Sequence, residues 1–127
     1  MQRSAFLAIS QLLSLIWLLT SPLAQAADPE HGSQVFEEEC SDCHSLVPGR
    51  NRKGPSLAGL VGRHSASVSG YKYSEAMRKR NVTWSLQQLD AYLTAPKRMV
   101  PGGKMKYDGL EDSQARADLI AFLASRH

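Results

Sequence analysis

Residues 40 to 44 read Cys40-Ser41-Asp42-Cys43-His44, and Cys40 and Cys43 are the only two cysteines in the 127-residue chain. Two thiols three positions apart on one turn can reach the two vinyl groups along one edge of a porphyrin, and the next side chain then lies under the iron. This is the spacing of covalent haem c attachment, one haem per chain, with Cys40 and Cys43 forming the thioethers and His44 as the proximal iron ligand. A closed zinc site would need four ligands, usually with a second Cys or His pair, but His31, His64 and His127 stand alone. A thioredoxin-like pair expects a βαβ context, whereas the downstream residues are rich in glycine and short helical patterns. With both thiols attached, no cysteine is left for a disulfide.

Upstream, Met1 and Arg3 make a basic start, Ala5 to Leu19 an apolar run, and Ser21-Pro-Leu-Ala24-Gln-Ala26 puts small residues where a signal peptidase inspects them. This predicts a secretory signal peptide over residues 1–26. The run is shorter than the roughly 20 residues of a spanning helix and is interrupted by Ser10, Gln11 and Ser14. Cleavage is therefore expected, with no stable membrane insertion afterwards. Export to the periplasm agrees with haem c chemistry, which in bacteria takes place outside the cytoplasmic membrane. Residues 27–127 have the length of one domain with a thin core, so a large apolar macrocycle would be a structural element as well as a reactive one. A monomer is expected.

Local signals predict helices. Asp28-Pro29 reads as an N-cap followed by proline in the first turn, with Glu30 favoured by the helix dipole, and Gly32, Phe36 and Cys40 then share one face. Asp112 or Ser113 can cap a helix carrying Leu119, Ile120, Phe122 and Leu123 toward His127. The economical arrangement crosses these two helices with Phe122 against Gly32. Ser85 and Gln88 form a capping-box pattern before Leu86, Leu89 and Leu93, and Pro96 halts that run. A further short helix is expected from Ser74 to about Lys79. The segments 47–73 and 95–109 hold most of the glycines and prolines, and no two-residue alternation persists. The fold class is therefore all-α, with long ordered loops that need a ligand to wrap.

A six-coordinate iron needs a second ligand from far along the chain, and Pro101-Gly-Gly-Lys-Met105 is suited to supply it. Two glycines after a proline make a tight irregular loop that can aim a thioether, and methionine opposite histidine raises the reduction potential. Met77 and Met99 are rivals in principle but read as core filler.

From Gly32 onward the sequence resembles a class I cytochrome c of the mitochondrial and bacterial c2 type. The matching segments include Cys40 to His44, Gly54-Pro55-Ser-Leu57, Gly59-Leu-Val-Gly62-Arg63, Gly70-Tyr-Lys-Tyr73, Thr83-Trp84, Tyr92-Leu93, Pro101 to Met105 and Arg116 to Leu123. The resemblance implies crossed N- and C-terminal helices with loops wrapping the haem, in a single domain over residues 27–127. It also implies residue roles: the Pro55 carbonyl accepting from His44, Arg63, Tyr73 and Trp84 holding an inner haem propionate, Tyr92 near the methionine sulfur, and Tyr107 beside the exposed haem edge. Met77 stands where many members have asparagine and Gly103 where many have threonine, which implies a more apolar or differently hydrated pocket. The loop between His44 and Gly54 looks more like that of bacterial members.

Charge is unevenly spread. Residues 28–44 carry Asp28, Glu30, Glu37, Glu38, Glu39 and Asp42 without lysine or arginine, whereas residues 45–108 hold twelve basic residues against Glu75, Asp90 and Asp108. Such asymmetry steers a molecule in a partner's field, with the basic loops docking and the anionic first helix on the opposite side. Nucleic acid is not expected. By resemblance the partners are redox proteins with acidic docking surfaces, such as a cytochrome bc1 complex and a terminal oxidase or reductase. The expected function is a soluble one-electron carrier and not an enzyme. The alternative is a haem c protein with an open iron, acting as a peroxidase or diatomic-gas sensor, and the loop carrying Met105 argues against it by occupying the distal position.

Overall fold

The computed structural model describes residues 25–127, so the signal peptide expected over residues 1–26 lies almost wholly outside the described residues. Five helices follow in order: α1 (Pro29–Glu39), α2 (Glu75–Arg80), α3 (Leu86–Thr94), α4 (Pro96–Met99) and α5 (Ser113–Ala124). Among the described residues the sheet-like pairing amounts to one isolated antiparallel bridge, His64 to Thr83. The all-α reading holds, and no helix among the described residues is long and apolar enough to cross a membrane.

Each longer helix starts where a side chain can accept from its orphan amides. Asp28 accepts from the Glu30 and His31 N–H groups, Ser74 from Met77, Ser85 from Gln88, and Asp112 from Gln114 and Ala115. Asp112, rather than Ser113, is thus the cap of α5. At Ser85 half of the capping box forms, because the Gln88 side-chain oxygen is buried without a hydrogen-bond partner. Leu86, at the first position of α3, is 53% exposed and outside the core. Pro96 does stop α3, and its fixed φ then starts α4, a single turn inside a segment expected to be loop.

The core joins one face each of α1, α3 and α5: Val35 and Phe36, then Leu89, Tyr92 and Leu93, then Leu119, Ile120, Phe122 and Leu123. The terminal helices do pack together, but not through the contact expected. A Cβ on Gly32 would lie 2.0 Å from the Asp118 carbonyl oxygen and 2.9 Å from Leu119 N, so the glycine admits the α5 backbone itself. Phe122 packs instead against Phe36, one turn on, with ring centroids 5.8 Å apart. Side chains lock the contact. The buried Asp118 carboxylate accepts from Asp28 N–H at 2.7 Å, His31 Nδ1 at 2.7 Å and Gln114 Nε2 at 2.9 Å. Arg116, also buried, joins α5 to α3 by donating to Asp90 at 2.7 Å and to the Leu110 carbonyl at 2.7 Å.

Candidate haem site

The attachment motif sits on the turn that continues α1. Cys40 N–H bonds back to the Phe36 carbonyl, and the amides of Cys43 and His44 both donate to the Cys40 carbonyl, at 3.1 and 2.9 Å. This winds residues 40–44 into a tight loop. A second loop is laced to it through Gly54 N–H to Cys43 O and Leu57 N–H to Ser45 O, both 2.8 Å. The approach is so close that a Cβ on Gly54 would stand 2.3 Å from the His44 ring. Glycine leaves room for the imidazole, and Pro55 presents its carbonyl to His44 Nδ1 at 2.8 Å.

A carbonyl can only accept, so Nδ1 carries the proton and Nε2 keeps its lone pair. Burial holds the His44 pKa below the ordinary histidine value, partly opposed by the Pro55 bond, and Arg63 lowers it further. The ring is therefore neutral and basic at one nitrogen only.

Behind these loops lies a cavity of about 560 Å³, well within the range that encloses most of a medium-sized ligand. All ten site residues expected from the sequence line it: Cys40, Cys43, His44, Pro55, Arg63, Tyr73, Trp84, Tyr92, Met105 and Tyr107. Cys40 is half-buried and Cys43 exposed, and burial pushes the Cys40 thiol up to about 12 while it is unattached. Tyr92 donates its hydroxyl to the Met105 sulfur at 3.2 Å, and its own pKa is pushed up to about 12 by burial. The Trp84 ring packs on Tyr92 with centroids 5.1 Å apart.

Arg63 is half-buried and faces no carboxylate. Its guanidinium donates to the carbonyls of Ala58 and Ser56 at 2.7 and 3.0 Å, and burial lowers its pKa. The Tyr73 hydroxyl accepts from Val68 N–H at 3.2 Å, which leaves its own proton to donate. Tyr107 donates to Glu39 at 2.7 Å, and its pKa is raised by burial first and by that carboxylate second.

Sequence reasoning missed several lining residues. Leu89 and Leu93 of α3, and Leu119 and Leu123 of α5, present i, i+4 pairs to the cavity, a spacing that could have marked the faces. Met77 lines it too, while Met99 borders a separate shallow concavity with Val100 and Pro101. Gly103 is outside the lining, and an added Cβ there would stand 3.0 Å from the Val100 carbonyl. Glu39 and Asp42 also line the cavity and are exposed. That corrects the expectation of an anionic helix on the far side: its last turn runs up to the cavity mouth.

The residues present suit a haem. The walls are leucine and aromatic rings, a lone-pair nitrogen and a thioether line one space, two cysteine sulfurs lie on the same lining, and Arg63 and Tyr73, neither of them paired with a carboxylate, line it as well. No group of three or more His, Cys, Asp or Glu side chains among the described residues could hold a bare metal ion.

Comparison with known proteins agrees with this geometry. The cytochrome c family model matches residues 29–127. The chain is 47% identical over 100 residues to cytochrome c2 of Rhodopila globiformis, covering 79% of this chain and 94% of that one. It is 43% identical to cytochrome c of Guizotia abyssinica, covering 79% and 91% respectively. Cytochrome c2 of Blastochloris viridis is 40% identical over 111 residues, covering 85% and 87%. A Cys-x-x-Cys-His turn opening on a leucine-lined cavity and a family match over nearly all the described residues lead to one conclusion: the chain belongs to the cytochrome c family, as a class I, c2-type haem c electron carrier rather than an enzyme.

Proposed function

We propose that the protein is a periplasmic one-electron shuttle whose haem iron is held between His44 Nε2 and the Met105 sulfur. The observation that carries this reading is the pair of second contacts. Pro55 directs His44 by accepting its Nδ1 proton at 2.8 Å, and Tyr92 directs Met105 by donating to its sulfur at 3.2 Å. Ligating groups are commonly fixed by partners of this kind. Met77 shares the cavity but has no such donor on its sulfur among the described residues, so Met105 is the better ligand.

When bound, the haem supplies a ferric–ferrous couple. Cys40 and Cys43 tether it, Arg63, Tyr73 and Trp84 supply donors for a propionate that would otherwise be a buried unpaired anion, and Tyr107 covers the edge beside Glu39. With His44 and Met105 both as its ligands, the haem iron would offer no open coordination site to a peroxide or a diatomic gas. Residues 1–26 are read as a cleaved signal peptide, and residues 27–127 as the exported domain. The fitting donors and acceptors of electrons are membrane redox complexes, such as a cytochrome bc1 complex and a terminal oxidase or reductase.

The test is Met105→Ala. The oxidised native protein should show the weak near-infrared charge-transfer band of methionine on ferric haem. The variant should lose that band, and its potential should fall. A variant retaining both would remove Met105 from the iron.

A further inference from the structure

Residues that line the haem cavity and are also exposed mark its open rim, and this rim carries both signs of charge. Lys53, Lys104 and Lys106 stand with Glu39 and Asp42. The Tyr107 hydroxyl bond brings Glu39 to the residue next to Lys106, yet the two charges form no ion pair. Asp42, Lys53 and Lys106 make no side-chain hydrogen bond or ion pair among the described residues, and Lys104 meets no carboxylate, donating to the Lys72 carbonyl with its ammonium 6.0 Å from the Tyr71 ring centroid. Nothing within the described protein neutralises either sector.

The acidic sector also opposes local stability. Glu37, Glu38 and Glu39 fill the last turn of α1, where the helix dipole is already negative, and that turn contains no basic residue. Carboxylates at a helix C-terminus are disfavoured, and here only a neutral phenol meets one of them. A charge set that weakens its own helix, and that borders a redox edge, fits a partner better than it fits the fold.

We infer that the partner's docking surface is two-signed: a carboxylate-rich sector that meets Lys104 and Lys106, beside an arginine or lysine that meets Glu39 and Asp42. This rests on the proposed transfer of electrons through the exposed haem edge. A uniformly acidic surface would be repelled by the Glu39 sector as it approached the lysines, whereas a two-signed surface fixes rotational register as well as contact.

The experiment uses the haem-loaded protein in its reduced form and washed membranes of the source cell as the oxidant, with each variant's potential measured alongside. At low ionic strength Lys106→Glu and Asp42→Lys should each slow oxidation by about threefold or more, and the differences should shrink as salt screens the rim. Glu39→Lys should behave like Asp42→Lys. Asp42 has no internal partner to lose, so its variant separates docking from folding. If Lys106→Glu slows the reaction while Asp42→Lys speeds it, the partner is uniformly acidic; the two-signed surface is then wrong, although transfer through the edge stands. If neither variant alters the rate, electrons do not pass this rim, and both readings fall.

Discussion

The Tyr92 phenol, its pKa pushed up to about 12 by burial, keeps its proton at any physiological pH and can always donate to the Met105 sulfur. A hydrogen bond to a thioether draws electron density away from it, which disfavours the ferric state of an iron that it ligates. On the proposed ligation, Tyr92→Phe should lower the potential by roughly 20 to 40 mV, since a net hydrogen bond is worth about 1 kcal/mol and 59 mV corresponds to tenfold in a one-electron couple. Potentiometric titration reads this directly, and an unchanged or higher value would contradict the polarising role. At this scale Cys40, Cys43 and His44 were legible because their spacing is their chemistry. The reason for Gly54 was not, because the need for a missing Cβ comes from the His44 ring lying 2.3 Å from where that atom would be.

Between elements, the contact of α1 with α5 depends on one missing side chain and one buried carboxylate. Gly32→Val would drive a Cβ to 2.0 Å from the Asp118 carbonyl, so the helices must separate. Overpacking of this kind costs about 1 to 3 kcal/mol, and thermal melting should show it. The His31–Asp118 bond adds a pH dependence. Its hydrogen bond to Asp118 raises the His31 pKa above 6.5, while the Asp28 N–H and then His31 hold the Asp118 pKa below 3.8. Protonated His31 is favoured by folding, so its contribution is full below the unfolded value and fades as pH rises through the raised one. Ionised Asp118 contributes above its unfolded value and loses that contribution as pH falls through the lowered one. The pair is therefore strongest between about pH 4 and pH 6.5. The melting-temperature advantage of the native protein over His31→Gln should shrink between about pH 6 and pH 8; a constant gap would mean that the imidazolium is not involved.

For the molecule as a whole, the cavity sets the terms of stability. A haem filling this cavity of about 560 Å³ would cover apolar walls that the polypeptide alone leaves to water, at about 25 cal/mol per Å² of apolar area removed. Leu89, Tyr92, Leu93, Leu119 and Leu123 belong to both the hydrophobic core and the cavity lining, so the α3 and α5 side of the core is completed only by what fills the cavity. A Cys40→Ala, Cys43→Ala chain without haem should lack a cooperative melt and most of its helix by far-ultraviolet circular dichroism. A native-like helical spectrum and a sharp transition in that variant would show that the polypeptide core suffices alone.

Neighbouring residues alone specify what is settled within a short stretch of chain: the attachment turn at Cys40 to His44, the caps at Asp28 and Ser85, and the proline that ends α3. Caps and turns satisfy backbone groups two to four positions away, so neighbouring residues specify them without help from the rest of the chain. Tertiary structure alone decided that Gly32 meets the α5 backbone and not Phe122, that His31 bonds to Asp118 across 87 positions, and that Glu39 bonds to Tyr107 across 68. Such contacts depend on how each helix is rotated about its axis, and on where the long loops return. Periodicity can name the apolar face of a helix, but it is the packing of the assembled core that sets which atoms on two such faces touch.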